Sequence, residues 1–408
     1  MNEIGCLIVT TNYFPEPTGI ALYTTDLADT FCASNIGCSV LTSLPHYPWW
    51  RVPEIFSDQI EGVHFINGVK IFRANHLIPS TFSALSRARF EWSLYRNLRR
   101  ISKCAELPNV LIAYTPTVAT LYVALTINKR FRVPLGVIVQ DLSGKGASQS
   151  GQIGGSLVAK LAEWVEVRAI RKADAVVVVS ESMKSALVGA GIKESKITVI
   201  PNYSVKNLVP LERNKARERL GWDSSDFIAI HTGNMGAKQD LGNAIEAVRN
   251  PLGGVSIKII GHGNQEGILR KQARDVSGVE ILPAVSDEEY PWVLAAADVL
   301  LINERASQID MSLPSKLTSY LFSGRPILAA VPLRGATARY LEGIASIVPA
   351  GDPKALLDGL LELKNDTARC EKLAEAGLTF ARNNLSADVG RARYLEWVSD
   401  LISRGTRR

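Results

Sequence analysis

The sequence has few cysteines, and none of them is paired at a C-x-x-C spacing. The 408 residues contain five, scattered along the chain: Cys6, Cys32, Cys38, Cys104 and Cys370. This usage predicts reduced thiols and argues against both a disulfide framework and a zinc site. No apolar run approaches the roughly 18 residues of a membrane-spanning helix. The first residues include Glu3, whereas a signal peptide begins with basic residues. We therefore expect a cytoplasmic protein.

The common nucleotide-binding motifs are also missing. Neither G-x-G-x-x-G nor G-x-x-x-x-G-K-[ST] occurs, which argues against a dehydrogenase and an NTPase. No D-x-D occurs, so a carboxylate-held metal that binds a diphosphate has no obvious ligands. The net charge of +6 suits a phosphate-bearing ligand or an acidic membrane surface, but is too small to indicate nucleic acid. We expect no metal, no organic cofactor and no nucleic-acid partner.

Short apolar runs alternate with helical patterns in both halves of the chain, which predicts parallel sheets covered by helices on both faces. The predicted strands of the first half are Cys6–Thr10, Ser39–Leu41, Val69–Phe72, Val110–Ala113, Leu135–Val139, Ala175–Val179 and Ile197–Ile200. Those of the second half are Phe227–His231, Ser256–Ile260, Val279–Leu282, Val299–Ile302, Ile327–Ala330 and Ile347–Val348.

A polar stretch separates the two halves. Residues 200–226 contain a Pro-Asn turn and a short charged helix, which is typical of a linker. The sequence therefore predicts an α/β protein of two doubly wound, Rossmann-like domains, 1–203 and 204–385, with a last helix of about 386–408 that packs back on the first. If the two domains face each other, the carboxyl ends of both sheets meet at one cleft, where ligands of this fold class bind.

Two strand-to-helix turns, one in each half, are candidates for binding an anion. In 231-HTGNMGAKQDL-241, Gly233 and Gly236 precede Lys238 and a helical pattern, and Gly19 precedes the first helix of the chain. A helix N-terminus offers unpaired N–H groups and the positive end of its dipole, to which Lys238 adds a full charge. Taken singly, each glycine is more often an ordinary turn and the lysine a solvated side chain. The equivalent positions of the two turns favour a metal-free diphosphate site.

Several longer motifs follow in a fixed order along the chain. They are 13-YFPEPTGIALYTTDLA-28, 45-PHYPWWRV-52, 139-VQDL-142, 231-HTGNMGAKQ-239 and 313-LPSKLTSYLFSGRP-326. On these motifs the chain resembles the retaining family 4 glycosyltransferases of the GT-B fold, and in particular their exopolysaccharide branch with the colanic-acid-type enzymes. The resemblance implies two facing Rossmann-like domains with the active-site cleft between them.

The resemblance also implies a nucleotide-sugar donor bound mainly by the second domain, and a saccharide or lipid-linked acceptor bound mainly by the first. Lys238 and Asn234 would then face the donor diphosphate, together with Gly236, and Gly19 would contact it from the other domain. The other implied donor contacts are Gly261, Gly263, Ala284 and Val285 around the base, and Pro314, Ser315, Lys316, Leu317 and Ser319 near the sugar and ribose.

The chain departs from the family pattern in its charged residues. Relatives commonly carry an arginine where Asn234 stands, and a pair of glutamates where this chain has Met311 and Ser319. Asp310 or Glu304 would supply the missing carboxylate, although Asp310 fits an exposed loop acid equally well. Ser319 would still be able to hydrogen-bond a ribose hydroxyl.

A second departure concerns Gln140 and Asp141, because relatives often have a His-Asp pair there. We interpret this as a substitution within the exopolysaccharide branch. For a retaining enzyme the resemblance implies front-face attack, in which the leaving phosphate helps to deprotonate the acceptor. Preorganised N–H groups and Lys238 would stabilise the charge on the leaving diphosphate. Gln140 and Asp141 would orient the acceptor or the sugar.

Two segments of the first domain are candidates for acceptor and membrane contacts. In the loop 45-PHYPWWRVP-53, Trp49 and Trp50 would stack on a sugar or enter lipid, and His46 is either a polar contact or a simple loop histidine. The helical pattern 84–104 has an apolar face and a basic face, the second formed by Arg89, Trp92, Arg96, Arg100 and Lys103. The basic face suits an anionic membrane on the inner side of the plasma membrane, or is an ordinary solvated surface.

The sequence thus predicts a retaining hexosyltransferase of cell-surface polysaccharide biosynthesis. Two alternatives remain open. A nucleotide-sugar epimerase of the same fold would turn over a sugar nucleotide without an acceptor. A non-catalytic relative that has lost its glutamate pair would bind nucleotide weakly or not at all.

Overall fold

A computed structural model describes residues 4–56, 61–80, 83–142, 156–205, 208–249, 254–307 and 313–405. The chain divides into two compact units. Unit 1 is Met1–Val205 together with Gly390–Arg408, and unit 2 is Lys206–Val389.

The strands of unit 1 are β1 (Ile4–Val9), β2 (Ile36–Ser43), β3 (Gly62–Ile66), β4 (Val69–Ala74), β5 (Val110–Tyr114), β6 (Leu135–Val139), β7 (Ala175–Val178) and β8 (Ile197–Val199). Its helices before the linker are α1 (Ile20–Ala33), α2 (Ala84–Ile101), α3 (Val118–Phe131), α4 (Ser156–Ile170) and α5 (Glu181–Gly189). The sheet order is β3-β4-β2-β1-β5-β6-β7-β8, and every pair except β3–β4 is parallel. The predicted parallel sheet is confirmed.

Helices cover both faces of this sheet, which is why its central strands are apolar on both sides. Every residue of β5, β6 and β7 is buried. In α2 the predicted apolar face is confirmed, because the buried residues of the helix are Phe90, Leu94, Leu98 and Ile101. The basic residues predicted on its other face are exposed.

The strand β3 is absent from the sequence prediction. Its side chains are alternately exposed and half-buried, so it has no apolar run, and it pairs antiparallel with β4 at the edge of the sheet. Asn67 and Gly68 join the two strands with φ angles of 52° and 80°. An Asn-Gly pair with two positive φ angles is typical of a two-residue hairpin turn, so the dipeptide was the available signal.

The strands of unit 2 are β9 (Phe227–Asn234), β10 (Val255–His262), β11 (Val279–Leu282), β12 (Val299–Asn303), β13 (Ile327–Val331) and β14 (Ser346–Pro349). Its helices are α6 (Arg213–Leu220), α7 (Leu241–Ala247), α8 (Glu266–Ala273), α9 (Tyr290–Ala296), α10 (Lys316–Phe322), α11 (Ala336–Leu341), α12 (Pro353–Asn365) and α13 (Thr367–Leu385). The sheet is fully parallel in the order β11-β10-β9-β12-β13-β14. The order reverses between β9 and β12, and such a switch point opens a crevice beyond the carboxyl ends of the strands.

A last helix, α14 (Ala387–Gly405), packs on the sheet of unit 1. The indole of Trp397 lies against β6 at Gly136, where a Cβ would come within 2.4 Å of it. Arg391 pairs with the buried carboxylate of Asp26, which also accepts a hydrogen bond of 2.7 Å from the hydroxyl of Tyr203. Among the described helices, none combines the length and the apolar composition that crossing a membrane requires.

Candidate functional site

Beside the switch point of unit 2, the backbones at the ends of β9 and β10 approach each other closely. Gly261, at the end of β10, has a φ of 148°, and a Cβ there would lie 1.9 Å from the carbonyl oxygen of Gly233 in β9. A Cβ at Gly263 would lie 2.5 Å from the carbonyl oxygen of Met235. Gly261 and Gly263, both predicted as donor contacts, are therefore required by the close approach of β9 to β10, independently of any ligand.

The loop after β9 carries Lys238 and is tied to the end of β12. The buried side chain of Asn303 donates hydrogen bonds from Nδ2 to the carbonyl oxygens of Gln239 (2.7 Å) and Asp240 (2.9 Å). Its Oδ1 accepts one from Nδ2 of Asn243 at 3.0 Å. The backbone N–H of Arg305 donates to the carbonyl oxygen of Lys238 at 2.9 Å. The backbone of Lys238 is thus fixed at the carboxyl edge of the sheet.

The side chain of Lys238 is half-buried and has no hydrogen-bond or ion-pair partner within the described part of the chain. Asn234, where relatives have an arginine, is exposed at the end of β9. Its amide lies beside Gly236, since a Cβ at Gly236 would come within 2.8 Å of Asn234 Nδ2. The loop therefore presents one cation together with the glycines and the amide.

A second lysine lies at the same edge. The Nζ of Lys316, the first residue of α10, is 2.8 Å from Nε2 of His231 in β9. Nδ1 of the buried His231 is 3.2 Å from the carbonyl oxygen of Leu301 in β12. Burial lowers the pKa of Lys316 to about 7, although the carboxylate of Glu304 acts in the opposite direction. Burial also lowers the pKa of His231, so the imidazole is neutral.

Ser319 belongs to a chain of hydroxyl groups beneath this edge. Its Oγ donates to the carbonyl oxygen of Lys316 at 2.9 Å and lies 3.0 Å from the hydroxyl of Tyr290. The Tyr290 hydroxyl is 3.2 Å from Thr232 Oγ1, which is 3.1 Å from the hydroxyl of Tyr320. The predicted ribose contact therefore already has protein partners for its hydroxyl.

The other predicted donor contacts differ in how accessible they are. The side chain of Leu317 is buried in the core, and its backbone N–H donates to the carbonyl oxygen of Pro314 at 3.0 Å. Neither its side chain nor its N–H is therefore available to a ligand. Ser315 is exposed at the start of α10, Ala284 is exposed and Val285 is half-buried. The predicted positions 310 and 311 (Asp310 and Met311) lie outside the described residues.

Glu304, the other candidate for the missing carboxylate, follows β12 directly. It is half-buried, and its Oε1 accepts a hydrogen bond of 2.8 Å from the hydroxyl of Thr337. Burial raises the pKa of this carboxyl group, and the hydrogen bond from Thr337 and the charge of Lys316 partly offset the effect.

In unit 1, Gly19 lies at the N-terminus of α1 with a φ of 66°, and a Cβ there would come within 3.2 Å of the ring of Tyr47. The loop that carries Tyr47 is held by the buried Glu16, whose Oε1 accepts hydrogen bonds from the N–H groups of His46 (2.7 Å) and Tyr47 (2.8 Å). Gly19 is exposed, but the ring of Tyr47 lies beside it.

His46 lies in the loop after β2, but its side chain is buried. It is only 2% exposed, because its ring packs edge-on against His76 with 4.5 Å between the ring centroids. Burial lowers the pKa of His46 to about 4. Trp49 is partly exposed and packs on Phe56, whereas Trp50 is half-buried between His46 and Tyr47.

Gln140 and Asp141 follow β6 at the carboxyl edge of the first sheet. The Nε2 of Gln140 is buried and has no hydrogen-bond partner among the described residues. Asp141 is exposed, and its Oδ1 accepts a hydrogen bond of 2.8 Å from the N–H of Leu142. Thr115, at the end of β5, donates to the carbonyl oxygen of Asp141 at 3.0 Å.

The sequence analysis missed three polar residues of unit 2: His231, Asn243 and Asn303. His231 interrupts the apolar strand β9, and Asn303 is the last residue of the apolar strand β12. A polar residue in such a strand was the signal available in the sequence. Their partners are distant in sequence, so no local pattern could have identified the contacts.

Comparisons with known proteins bear on this arrangement. Residues 18–203 match the model of the family described as glycosyl transferase 4-like domain. WcaI of Escherichia coli strain K12, assigned as a colanic acid biosynthesis glycosyl transferase, is 27% identical over 380 residues, which cover 87% of this chain and 90% of WcaI.

Solved structures share this fold, and two of them serve as examples. Sucrose-phosphate synthase of Thermosynechococcus elongatus superimposes with a TM-score of 0.75 at 13% identity, covering 98% of this chain and all of the other (100%). HepE of Anabaena, solved with UDP and glucose, gives a TM-score of 0.66 at 15% identity over 97% of this chain and 100% of HepE. The predicted resemblance is confirmed to this extent: residues 18–203 match the glycosyl transferase 4-like domain, and the chain has the fold of the GT-B glycosyltransferases.

Proposed function

We propose that the chain transfers a hexosyl group from a nucleotide-diphosphate sugar to a saccharide or lipid-linked saccharide acceptor, with retention of configuration, in cell-surface polysaccharide biosynthesis. The main support is the side chain of Lys238, which has no partner in the described part of the chain. The N–H of Arg305 fixes its backbone carbonyl, and Asn303 holds the next two residues, Gln239 and Asp240. WcaI is assigned to colanic acid biosynthesis, and HepE was solved with UDP and glucose.

In this proposal the donor diphosphate binds at the carboxyl edge of unit 2. Lys238 and the N–H groups of the loop after β9 stabilise the charge that develops on the leaving diphosphate. Because fixed N–H groups and a lysine perform this role, we propose that the reaction requires no metal. Gln140 and Asp141 orient the acceptor or the sugar, and the leaving phosphate helps to deprotonate the acceptor hydroxyl.

We also propose that unit 1 binds the acceptor and contacts an anionic membrane through α2. Trp92 and Leu85 are 65% and 62% exposed and lie seven residues apart, on the same face of this helix. Arg89 and Arg96 are exposed on the same helix. An apolar side chain beside basic ones suits the interface of an acidic bilayer, where a lipid-linked acceptor resides.

The experiment is thermal unfolding with UDP, GDP, ADP, dTDP and NAD, each at millimolar concentration. One diphosphate should stabilise the protein, by roughly 2.7 kcal/mol at a hundred times its Kd. Lys238→Ala should lose most of this stabilisation, and Lys354→Ala, which removes an exposed lysine at the start of α12, should keep it.

Turnover with the matching nucleotide sugar separates the alternatives. A transferase releases nucleoside diphosphate, and adding acceptor accelerates the release. An epimerase instead converts the sugar nucleotide to an isomer without releasing diphosphate. Failure of every nucleotide to stabilise a folded sample would contradict the proposal, and so would stabilisation by NAD alone.

A further inference from the structure

The Nζ of Lys316 is held by a chain of contacts that ends on the sheet. Nδ1 of His231 lies 3.2 Å from the carbonyl oxygen of Leu301, and a carbonyl oxygen can only accept a hydrogen bond. The imidazole therefore carries its proton on Nδ1, and Nε2 accepts a hydrogen bond from Nζ at 2.8 Å. Because the ring is only 1% exposed inside the sheet, its Nε2 holds Nζ at a fixed position.

Gly233 leaves one side of this Nζ without a side chain. A Cβ at Gly233 would lie 3.8 Å from Nζ of Lys316, and Gly233 itself is exposed. A larger residue at this position would come between Nζ and the ligand side of the loop after β9. The glycine therefore gives an anion bound over this loop access to the ammonium group.

Among the described residues, no carboxylate forms an ion pair with Lys316. In the described part of the chain, the titratable groups near Nζ are His231 on β9, which is neutral, and Glu304 after β12. Glu304 is engaged by the hydroxyl of Thr337, and no ion pair joins it to Lys316 in the described part of the chain. A half-buried lysine that has no ion-pair partner among the described residues is stabilised in its charged form by an anionic ligand.

We propose that Lys316 Nζ contacts the donor diphosphate beside Gly233, and that His231 is the residue that positions it. This inference rests on the proposed donor site and changes one assignment within it. The family resemblance implied a contact of Lys316 with the sugar or ribose, whereas the geometry points to the phosphates. Lys316 then provides the second cation that relatives obtain from an arginine at the position of Asn234.

Proton uptake distinguishes this role from a structural one. Burial lowers the pKa of Lys316 to about 7, so at pH 8 most of the free protein carries a neutral amine there. A diphosphate beside Nζ raises this pKa, and binding therefore takes up a proton from the buffer. An arginine at position 316 stays charged throughout and takes up none.

The test is calorimetric titration with UDP and GDP at pH 8, in HEPES and in Tris, whose ionisation enthalpies differ. For the wild type, the binding enthalpies in the two buffers should differ by the difference in buffer ionisation enthalpy multiplied by the number of protons taken up, which is at most one. Lys316→Met should weaken binding by roughly tenfold or more and abolish the uptake. Lys316→Arg should bind the nucleotide without taking up a proton. This variant keeps the test conclusive if Lys316→Met fails to fold.

Two variants of His231 test the positioning role. His231→Phe removes the acceptor for Nζ and should weaken binding several-fold. His231→Gln offers an amide oxygen to Nζ and should recover part of the loss. Both variants are first shown to be folded by circular dichroism.

The outcomes separate this inference from the proposed function. If the wild-type protein binds no nucleoside diphosphate, the proposed function fails. If the wild-type protein binds UDP or GDP and Lys238→Ala weakens binding, but Lys316→Arg keeps the same proton uptake, only the role of Lys316 is refuted. Unchanged affinity in His231→Phe refutes the positioning role alone.

Discussion

Replacement of Asn303 by leucine should destabilise unit 2 and weaken nucleotide binding together. Leucine branches at Cγ as asparagine does, but it cannot form hydrogen bonds. The substitution removes the donor for the carbonyl oxygens of Gln239 and Asp240, and the acceptor for the amide of Asn243. Three polar groups at this buried position then lose a partner. At about 1 kcal/mol for each, the free energy of unfolding should fall by about 3 kcal/mol.

The effect on binding follows from the position of the loop. The two carbonyl groups come directly after Lys238, so losing their ties to β12 frees the segment that presents the lysine. Binding then has to order this segment, and we expect the affinity for the stabilising diphosphate to fall by about tenfold, which corresponds to about 1.4 kcal/mol.

Urea unfolding followed by tryptophan fluorescence and calorimetric titration measure the two effects on the same sample. Asn303→Asp is the matched control, because its carboxylate still accepts from Asn243 but cannot donate to the loop. It should recover neither the stability nor the affinity, because a buried carboxylate oxygen then faces the two carbonyl oxygens of the loop. If Asn303→Leu leaves the affinity unchanged despite the loss of stability, the ties do not position Lys238.

Two further predictions concern unit 1. Burial raises the pKa of Glu16 from its ordinary 4.5 to about 7, so folding takes up a proton between these values and stability falls as the pH rises through this window. Because glutamine does not titrate, the free energy of unfolding of Glu16→Gln, measured in urea, should rise relative to that of the wild type by up to about 3 kcal/mol from pH 4 to pH 8. An equal difference between the two proteins at both pH values would contradict this. Gly390→Ala places a Cβ 2.1 Å from the ring of Tyr203 and should destabilise unit 1 by about 2 kcal/mol. The diphosphate affinity should survive this change, and an unchanged unfolding curve would show that α14 is not tightly packed there.

The sequence was sufficient to predict the alternation of strands and helices because parallel strands buried on both faces are continuous apolar runs. The runs at Val110–Ala113 and Leu135–Val139 correspond to β5 and β6 almost residue for residue. The edge strand β3 was not predicted because only one of its faces is partly buried, and a strand of this kind has no continuous apolar run.

The site could be predicted only where its residues act locally. Gly233 and Lys238 could be proposed as donor contacts because a strand-to-helix turn with glycines and a cation is visible in a short window, and their roles stay predictions. His231 and Asn303 were missed because their roles depend on partners about 60 to 85 positions away in the chain. Leu317 was assigned to the ligand because the motif contains it, but its side chain faces the core.

The most direct test of the account is hydrogen exchange of the wild-type chain, measured by mass spectrometry with and without the stabilising nucleoside diphosphate. We predict slower exchange in peptides that cover the loop after β9, residues 231–241, and the end of β12, residues 299–307. These are the segments that carry Lys238 and Asn303. Protection confined to unit 1, or spread over unit 2 without these two segments, would contradict a donor site at the switch point.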